Sequence, residues 1–361
     1  MKIGIDASRA FFENRTGIEE YSYQIIREII KENKDNKIIL YLRKNQSKKL
    51  AEKDFTEFCA NEKIEIREIS FHRFWTQIGL AVELLIDPID ILFVPAHTVP
   101  WIHPKKTLVT IHGLEYEHFP EGYSFYSRLL HRFFIKKSCL WTDKILAVSK
   151  KTKADLVRLY KAPKEKIRVI YNGFSKKEAD LGVKKGEYLI FVGRLEKRKN
   201  IEGIVRAFEI LKEKYGYGGK LLLVGRPGYG YEEIKEMIKK SHWKNEIDQR
   251  GFVEDDEKNQ LIQNAQIFFF PSISEGFGIP ILEAQSMGTP VITSNYGPMD
   301  EVSGDENILV DPNDHQAMAK LANKMLGDSL FRKKIIEDGL ENVKKFSWKK
   351  SAKETFQYLT S

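Results

Sequence analysis

Short apolar runs alternate with longer amphipathic stretches along most of the chain. The amphipathic stretch GIEEYSYQIIREIIKEN is the clearest, with apolar residues recurring at every third or fourth position. Compact β-branched runs indicate buried strands, and the spacing between them indicates helices. In the first half the strand candidates are KIGIDA, KIILYLR, KIEIREI, DILFVPA, TLVTIH, KILAVS and IRVIYNG. This alternation predicts a parallel sheet covered by helices.

The same pattern restarts in the second half, with the runs EYLIFVG, KLLLVG, QRGFV, QIFFFPS, PVITS and NILVD. Between the halves, 174–185 is polar and weakly patterned, as expected of a linker. A chain of 361 residues fits two domains better than one. We predict an α/β protein with two Rossmann-like, doubly wound domains at 1–174 and 175–346, and a last helix over 347–361 that Ser347 caps. Because parallel sheets bind ligands beyond the carboxyl ends of their strands, the domains are expected to face each other across a cleft.

Composition places the chain among ordinary globular proteins. It is 42% hydrophobic and 30% charged. Its two cysteines, Cys59 and Cys139, are too few and too far apart for a disulfide framework or a zinc site. The longest apolar region contains Glu83, Asp87 and Asp90, and MKIGIDAS resembles a buried strand more than a secretion signal. A cytoplasmic setting is therefore expected.

The net charge is +8, from 59 Lys and Arg against 51 Asp and Glu. Nucleic acid, an anionic membrane surface and phosphorylated substrates are the three partner classes that such a charge fits. The sequence carries no nucleic-acid-binding signature, and its lysines are spread over many helices. We therefore expect no nucleic acid partner.

Two glutamates stand around a glycine turn in FFFPSISEGFGIPILEAQSMGTPVITS, residues 268–294. The pattern places Glu275 in a loop after a strand and Glu283 in the first turn of a helix that Pro280 begins. The backbone N–H groups at this helix start form an anion site. Carboxylates beside it suit the hydroxyls of a nucleotide diphosphate sugar, with ribose near one glutamate and the transferred sugar near the other. In the alternative interpretation Glu283 only favours the helix start and Glu275 is solvated.

A second motif, FVGRLEKRKNIEG, places Arg194 and Lys199 directly after a strand. Two fixed cations there would neutralise a leaving diphosphate. The alternative is a solvated basic helix start, and we expect Lys197 and Arg198 to be solvated. The sequence has no clear Asp-x-Asp or clustered-carboxylate site, so we expect neither a metal nor another cofactor.

The spacing from Glu275 to Glu283 resembles the E-x7-E motif of the retaining GT-B glycosyltransferases of family 4, also called glycosyl transferases group 1. The resemblance extends over essentially the whole chain. It rests on SRAFFENRTGIEEYS, TIHGLEYEHFPEGYS, VIYNGF, FVGRLEKRKN, SEGFGIPILEA and FSWKK, which occur in the family's order. It implies a GT-B fold with two Rossmann-like domains, of which the first binds the acceptor and the second the nucleotide sugar, and a last helix that crosses back to the first domain.

The resemblance implies a role for four candidate catalytic residues. His112 matches the histidine that hydrogen-bonds the donor sugar, although Gly113 follows it where many members have aspartate. Arg194 and Lys199 match the pair that binds the diphosphate, and Glu275 matches the glutamate that faces the transferred sugar.

Eight further positions match donor-binding residues. Gly17, in the loop after the first strand, would let the first domain approach the donor phosphate, and Glu283 would grip the ribose. The remaining matches are the amides of Phe277, Gly278 and Ile279, the base-edge segment Phe252 and Val253, and Gly225 at a strand end that lines the nucleotide site.

Histidines also have structural interpretations. A histidine that ends an apolar strand, as His112 does, is often a core or capping residue. His97, His103 and His118 match no family position, and we interpret them as structural or acceptor-side residues.

The segments TGIEEYS and HGLEYEHFP look most like those of bacterial mannosyltransferases of surface polysaccharide assembly. The resemblance therefore favours GDP-mannose as donor, with a UDP-hexose second, and a saccharide or lipid-linked saccharide as acceptor. It also implies retention of the anomeric configuration by same-face attack. The alternatives are an enzyme like a UDP-sugar 2-epimerase and a noncatalytic nucleotide-sugar-binding subunit.

One stretch bears on membranes. In SFYSRLLHRFFIKKSCLW, residues 124–141, basic residues alternate with aromatic and aliphatic ones. Such a helix can lie on anionic lipid at the inner membrane face. It can equally be a core helix with a solvated basic face.

Overall fold

The computed structural model describes residues 1–12, 15, 17–46, 62–175, 182 and 185–361. The chain forms two compact units. The first contains Met1–Leu114, Tyr123–Gly173 and Phe346–Ser361, and the second contains Glu115–Gly122 and Phe174–Lys345. The segment 115–122 thus belongs to the second unit, whereas the sequence pattern assigns it to the first domain. Most of the predicted linker, like Cys59, lies outside the described residues.

All thirteen predicted strands form, and they pair in parallel. Their apolar side chains explain why, since most strand interiors are buried on both faces as parallel sheets require. The strands are β1 (Lys2–Asp6), β2 (Lys37–Arg43), β3 (Ile64–Ile69), β4 (Ile91–Val94), β5 (Lys106–Ile111), β6 (Lys144–Ala147), β7 (Ile167–Val169), β8 (Tyr188–Val192), β9 (Lys220–Val224), β10 (Ile247–Gly251), β11 (Ile267–Phe270), β12 (Val291–Ser294) and β13 (Leu309–Val310).

Helices connect the strands, as the amphipathic stretches predict. The α-helices of the described residues are α1 (Gly17–Glu32), α2 (Leu80–Ile86), α3 (Glu115–His118), α4 (Phe125–Trp141), α5 (Lys150–Tyr160), α6 (Ile201–Tyr215), α7 (Tyr231–Lys240), α8 (Asp255–Asn264), α9 (Ile279–Ser286), α10 (Met299–Ser303), α11 (His315–Gly327), α12 (Ser329–Asn342) and α13 (Trp348–Thr360).

Each unit has its own doubly wound sheet. The seven strands of the first follow the order β3-β2-β1-β4-β5-β6-β7, and the six of the second follow β10-β9-β8-β11-β12-β13. The strand order reverses between β1 and β4 in the first sheet and between β8 and β11 in the second. Open parallel sheets bind ligands beyond the carboxyl ends of their strands at such reversals. The topology therefore directs attention to the loops after these strands.

The last helix, α13, packs against α1 in the first unit. The hydroxyl of Ser347 caps it by accepting a hydrogen bond from the Lys350 N–H at 3.1 Å, as predicted. At its other end, the Tyr358 hydroxyl donates to the Lys166 carbonyl at 2.7 Å. Its first residue, Trp348, lies so close to Gly173 that a Cβ on that glycine would stand 2.3 Å from the Trp348 backbone nitrogen. A glycine at position 173 is therefore required for the helix to dock.

Replacing Gly173 by alanine is expected to lower the free energy of unfolding by about 3 kcal/mol, because backbone atoms cannot move aside as a flexible side chain can. Urea denaturation measures the change. Gly218→Ala is the matched control, since no atom lies within 4 Å of the Cβ it would add. Equal stability of the two variants would show that α13 docks independently of Gly173.

Candidate active site

The loop after β11 holds a largely shielded carboxylate between two cations. Glu275 Oε1 accepts a hydrogen bond from the Lys199 ammonium. The Arg198 guanidinium lies 3.4 Å from the same oxygen. The side chains of Glu275 and Lys199 are each only 12% exposed. These contacts link the loops after β8 and β11, the two strands at which the order of the second sheet reverses.

The position of Arg198 differs from the prediction that it is solvated. Its guanidinium donates to the Ser274 carbonyl at 2.6 Å and to the Glu196 carboxylate at 2.7 Å. A 3-10 turn over Lys197–Lys199, ended by Asn200 in the left-handed conformation, directs Arg198 toward the β11 loop. Lys197 instead forms an ion pair at 3.2 Å with the exposed Glu233, and the Lys197 side chain is 41% exposed.

The electrostatics of this cluster keep Glu275 ionised. Burial by itself raises the pKa of the Glu275 carboxyl, but the positive charges of Lys199 and Arg198 outweigh it and hold that pKa below its usual value. A carboxylate in this state accepts hydrogen bonds from hydroxyl groups. It is a poor general base, because its affinity for a proton is low.

The helix that follows is α9, which begins at Ile279 with Pro280 in its first turn. Gly278 precedes it at φ 109°, a conformation that favours glycine. Phe277 is buried, so the candidate donor-binding segment starts from a fixed anchor. The first backbone N–H groups of a helix have no intrahelical acceptor, and this end of α9 has the polarity that suits an anion.

Glu283 differs from its predicted place. It is the fifth residue of α9 and therefore lies in the second turn rather than the first, because the helix starts at Ile279. It forms an ion pair at 3.2 Å with Lys258 of α8. Glu283 and Glu275 thus have separate cationic partners.

Arg194 follows β8 and is exposed. It makes no ion pair with any residue that the structure describes. Its side chain runs over Gly228, where an added Cβ would lie 2.7 Å from Arg194 Cγ. Gly225, at φ 143°, brings the β9 loop against the β8 loop, since a Cβ there would lie 1.9 Å from the Gly193 carbonyl oxygen. These glycines let the two loops meet beside the cationic side chain.

Phe252 and Val253, predicted at the base edge, come directly after β10. The Phe252 ring is 51% exposed. The guanidinium of Arg226, from the neighbouring β9 loop, lies 4.4 Å from the centre of that ring. An exposed aromatic ring and a stacked guanidinium together form a surface that suits a flat, polar ligand.

In the first unit, His112 follows β5 and is buried. Its Nε2 donates to the Pro95 carbonyl at 2.7 Å, and its ring meets the Tyr21 ring edge-on at 4.6 Å between centres. Burial lowers the pKa of His112 to about 4. The imidazole is therefore neutral at neutral pH, and with the proton on Nε2 its Nδ1 is a hydrogen-bond acceptor.

His97 lies beside it, although no sequence motif points to this position. The two imidazole ring centres are 5.3 Å apart. His97 has a φ of 50°, and its buried Nδ1 has no hydrogen-bond partner among the described residues.

The other two histidines without a family match lie elsewhere. His103 forms hydrogen bonds with the Pro104 carbonyl and the Thr107 hydroxyl, which fits a structural role. His118 ends α3 in the second unit.

Gly17 is the first residue of α1 rather than a loop residue. A Cβ at this position would meet no atom within 4 Å. The described residues therefore impose no packing constraint on Gly17.

Glu115 is an acidic neighbour of the Glu275 cluster that sequence analysis missed. It begins α3, in the segment that belongs to the second unit. Burial raises its pKa, and the nearby charges of Arg198 and Lys199 offset this rise only in part. Glu115 lies near Glu275 only because the tertiary structure brings two distant segments together, so no local sequence pattern could have indicated this proximity.

The residues that the structure describes contain no candidate metal site. Among those residues, no group of three or more His, Cys, Asp or Glu side chains could hold a metal ion. The one cysteine described, Cys139, is buried and unpaired.

Replacing Glu275 by glutamine is expected to lower the free energy of unfolding by about 3 kcal/mol at neutral pH, because Lys199 and Arg198 lose the charge of a part-buried carboxylate. The difference in the free energy of unfolding between this variant and wild type has its full size above the ordinary glutamate pKa of 4.5. It shrinks as pH falls through the lower folded-state pKa, where the wild-type carboxyl is also protonated. Urea denaturation across this range measures it. In the control Glu337→Gln, which affects an exposed pair with Lys333, a change within about 0.5 kcal/mol is expected. An effect of Glu275→Gln that persists unchanged in acid would contradict the ion-pair account.

Two family models match consecutive parts of the chain. The model described as Glycosyltransferase Family 4 matches residues 16–177. The model described as Glycosyl transferases group 1 matches residues 174–342.

Curated relatives include two mannosyltransferases. The O-antigen chain mannosyltransferase B of Escherichia coli is 31% identical over 223 residues, which are 58% of this chain and 58% of the relative. The O-antigen chain mannosyltransferase RfbU of Salmonella typhimurium is 28% identical over 221 residues, 61% of this chain and 60% of the relative. The matched region thus spans somewhat under two thirds of these relatives' own length.

Solved structures share the fold over nearly the whole chain. A sucrose-phosphate synthase from Thermosynechococcus elongatus has a TM-score of 0.74 at 19% identity, covering 99% of this chain and 98% of that one. Anabaena HepE, solved with UDP and glucose, has a TM-score of 0.68 at 17% identity, covering 100% and 99%. WaaG, a glycosyltransferase involved in lipopolysaccharide biosynthesis, has a TM-score of 0.69 at 14% identity, covering 100% of both chains. With its two doubly wound units and consecutive matches to both family models, the chain belongs to the group 1, family 4 glycosyltransferases of GT-B fold.

Proposed function

We propose that the protein is a retaining, metal-independent hexosyltransferase that moves mannose from GDP-mannose to a hydroxyl of a saccharide or lipid-linked saccharide. The observation that carries this proposal is the part-buried Glu275 carboxylate, held by Lys199 and Arg198 where the strand order of the second sheet reverses. Family membership supports the class of reaction. The relatives named as mannosyltransferases support the choice of sugar.

The diphosphate of the donor is assigned to the cations after β8. Arg194 is exposed and unpaired among described residues, so its guanidinium is available to bind phosphate oxygens in a bidentate manner. Lys199 is ion-paired with Glu275 and partly neutralised by it. The neighbouring Arg198 adds a positive charge to this loop. Fixed charges of this kind stabilise a leaving diphosphate without reorganising during the reaction.

Glu275 is assigned to the hydroxyls of the transferred hexose. Oε1 accepts from Lys199, and the carboxylate retains further acceptor capacity on Oε2. Because its pKa is lowered, Glu275 orients the sugar and does not remove a proton. In the first unit, the same kind of role is assigned to His112, whose neutral ring offers an acceptor nitrogen.

The transfer step needs no protein nucleophile. The bond between the anomeric carbon and the diphosphate oxygen breaks, and the acceptor oxygen bonds to the same face of the sugar. The acceptor's proton passes to the departing diphosphate oxygen, so the configuration is retained. A double displacement would instead need a carboxylate on the opposite face, and the Glu275 carboxylate is occupied by Lys199 and Arg198. The positive charges of the β8 loop take the place that a divalent cation would otherwise fill.

The base site favours guanine over uracil. Phe252 offers an exposed ring for stacking, and Arg226 lies over it. Guanine presents two adjacent acceptors, O6 and N7, that a guanidinium binds together. A UDP-hexose is the second candidate donor, since the similar structure of Anabaena HepE was solved with UDP-glucose.

Two other functions make distinct predictions. An enzyme like a UDP-sugar 2-epimerase would release free epimerised sugar without an acceptor. A noncatalytic subunit would bind a nucleotide sugar and never turn it over. The presence of Arg194, Lys199 and Glu275 favours a catalyst over a noncatalytic subunit, and the spacing from Glu275 to Glu283 favours transfer over epimerisation. We also propose a cytoplasmic location with peripheral attachment to the inner membrane face.

Replacing Arg194 by alanine is expected to lower kcat about 100- to 1000-fold with a smaller change in KM, because the guanidinium serves the charge that develops on the leaving group. Steady-state transfer or donor hydrolysis measures both constants. Lys197→Ala is the control, since Lys197 lies in the same loop but pairs with the exposed Glu233. An Arg194→Ala enzyme with normal kcat and raised KM would assign Arg194 to donor binding alone.

Thermal-shift measurements with GDP, UDP, ADP and their sugars, made in EDTA, are expected to show the largest stabilisation with GDP and GDP-mannose. A ligand at a hundredfold its Kd stabilises the fold by about 2.7 kcal/mol. Arg226→Ala is expected to weaken GDP binding about tenfold and UDP binding less, because guanine offers the guanidinium two adjacent acceptors and uracil offers only single carbonyl oxygens. Arg206→Ala, which removes an arginine paired with Glu202 on the surface of α6, is the control. A larger shift with UDP, or stabilisation only with added metal, would overturn the assignment of base or of metal independence.

A further inference from the structure

Helix α4 is apolar on its outer side. Its buried residues are Ile135, Ser138 and Cys139. The seven large apolar side chains at its surface, among them Tyr126, Phe133 and Trp141, are each 40% to 77% exposed. The structure therefore excludes a core helix with only a basic solvated face. An apolar surface of this kind on a globular protein marks a site of interaction.

The loop over 71–74 extends this surface. Its four residues, Phe71, His72, Arg73 and Phe74, are all exposed. The Phe74 ring packs against Phe134 of α4, with 6.4 Å between centres. Phe74 also has a φ of 53°, which is uncommon for a residue with an aromatic side chain. The fold thus presents this ring beside α4 despite a backbone conformation that phenylalanine rarely adopts.

A third segment, the loop after β4, contacts α4 one turn beyond Phe134. The Val99 N–H donates to Ser138 Oγ at 3.0 Å and fixes the loop after β4 to the helix. Two residues further, Trp101 and Ile102 are about half exposed. We call the outer side of α4, the 71–74 loop and Trp101–Ile102 the aromatic–basic face.

The charges on this face have one sign. Helix α4 contains four Lys or Arg residues and no Asp or Glu. Arg132 and Lys136 are exposed, and Lys137 Nζ lies 5.9 Å from the Phe133 ring and 5.8 Å from the Trp141 ring. The nearest acidic residues in the chain, Glu121 and Asp143, lie beyond the two ends of the helix.

The geometry points to an anionic lipid bilayer as the partner of the aromatic–basic face. Aromatic rings enter the boundary between headgroups and acyl chains, while lysine and arginine bind lipid phosphates. Within the described residues, no helix has both the length and the apolar character needed to cross a bilayer, so α4 would lie in the membrane plane. This inference deepens the proposed peripheral location by naming the surface and the lipid class, and it is independent of the donor.

Co-sedimentation with vesicles tests the partner. Wild-type protein is expected to pellet with vesicles of equal parts phosphatidylglycerol and phosphatidylcholine, to bind phosphatidylcholine alone far less, and to be released by salt. Arg132→Glu with Lys136→Glu is expected to lower the partition coefficient at least about tenfold. The matched control is Lys349→Glu with Lys353→Glu, which makes the same charge change at exposed positions of α13 in the same unit. Equal losses in both variants would show that net charge alone acts, and would overturn the proposal.

Fluorescence quenching tests insertion. Brominated phosphatidylglycerol is expected to quench Trp101 and Trp141. Trp101→Phe with Trp141→Phe is expected to abolish most of the quenching, because Trp75 and Trp348 are buried and Trp243 belongs to the second unit, which does not carry this face. Quenching that is absent in wild type, or unchanged in the double variant, would overturn the proposal.

Two further measurements complete the test. Nucleotide binding in the thermal-shift assay confirms that each variant is folded, and it also separates failure of the donor assignment from failure of the membrane assignment. Light scattering reports whether a second copy covers the face, in which case Phe133→Ser would abolish a dimer rather than vesicle binding, and the bilayer would be excluded.

Discussion

The site in the second unit depends on one part-buried ion pair, between Glu275 and Lys199, with Arg198 alongside. Removing charges from water costs several kcal/mol per ion, and only close partners with further hydrogen bonds repay that cost. Here the partners come from loops that follow two different strands, so the pair also holds those loops together. A carboxylate fixed in this way is oriented and ionised before any ligand arrives. This preorganisation is what a site that stabilises a leaving diphosphate requires.

The second constraint is the close approach of two backbone segments, the loops that follow the carboxyl ends of β8 and β9. The β8 and β9 loops meet at Gly193 and Gly225, where no side chain fits between them. Backbone hydrogen bonds continue the contact, from the Leu195 N–H to the Arg226 carbonyl at 2.9 Å and from the Gly228 N–H to the Leu195 carbonyl at 2.9 Å. Arg194 and Arg226 therefore emerge from one rigid pair of loops. The cation proposed to bind phosphate and the guanidinium proposed to bind the base thus share a single support.

In the first unit the candidate site residues are neutral imidazoles, whereas in the second unit they are charged side chains. His112 and His97 are close together, and burial lowers the pKa of both. Neutral imidazoles recognise hydroxyl groups by direction rather than by charge. The same unit carries the aromatic–basic face on α4, whose apolar side chains remain outside the core. Sugar chemistry and lipid contact would then be combined on one folded unit.

The sequence by itself determined the strands and the family. Apolar runs predict the inner strands because a strand buried on both faces must be apolar throughout. The E-x7-E spacing with FVGRLEKRKN identifies the family because these residues are close in sequence. The same pattern located Ser347 as the cap of α13, since capping involves only neighbouring backbone groups. Only the tertiary structure decided which side chains meet. Arg198 was predicted to be solvated and is instead part-buried against Ser274, because a left-handed Asn200 turns the loop. Glu115, His97 and the Phe74 ring reached their places through contacts between residues far apart in the chain, which local periodicity does not encode.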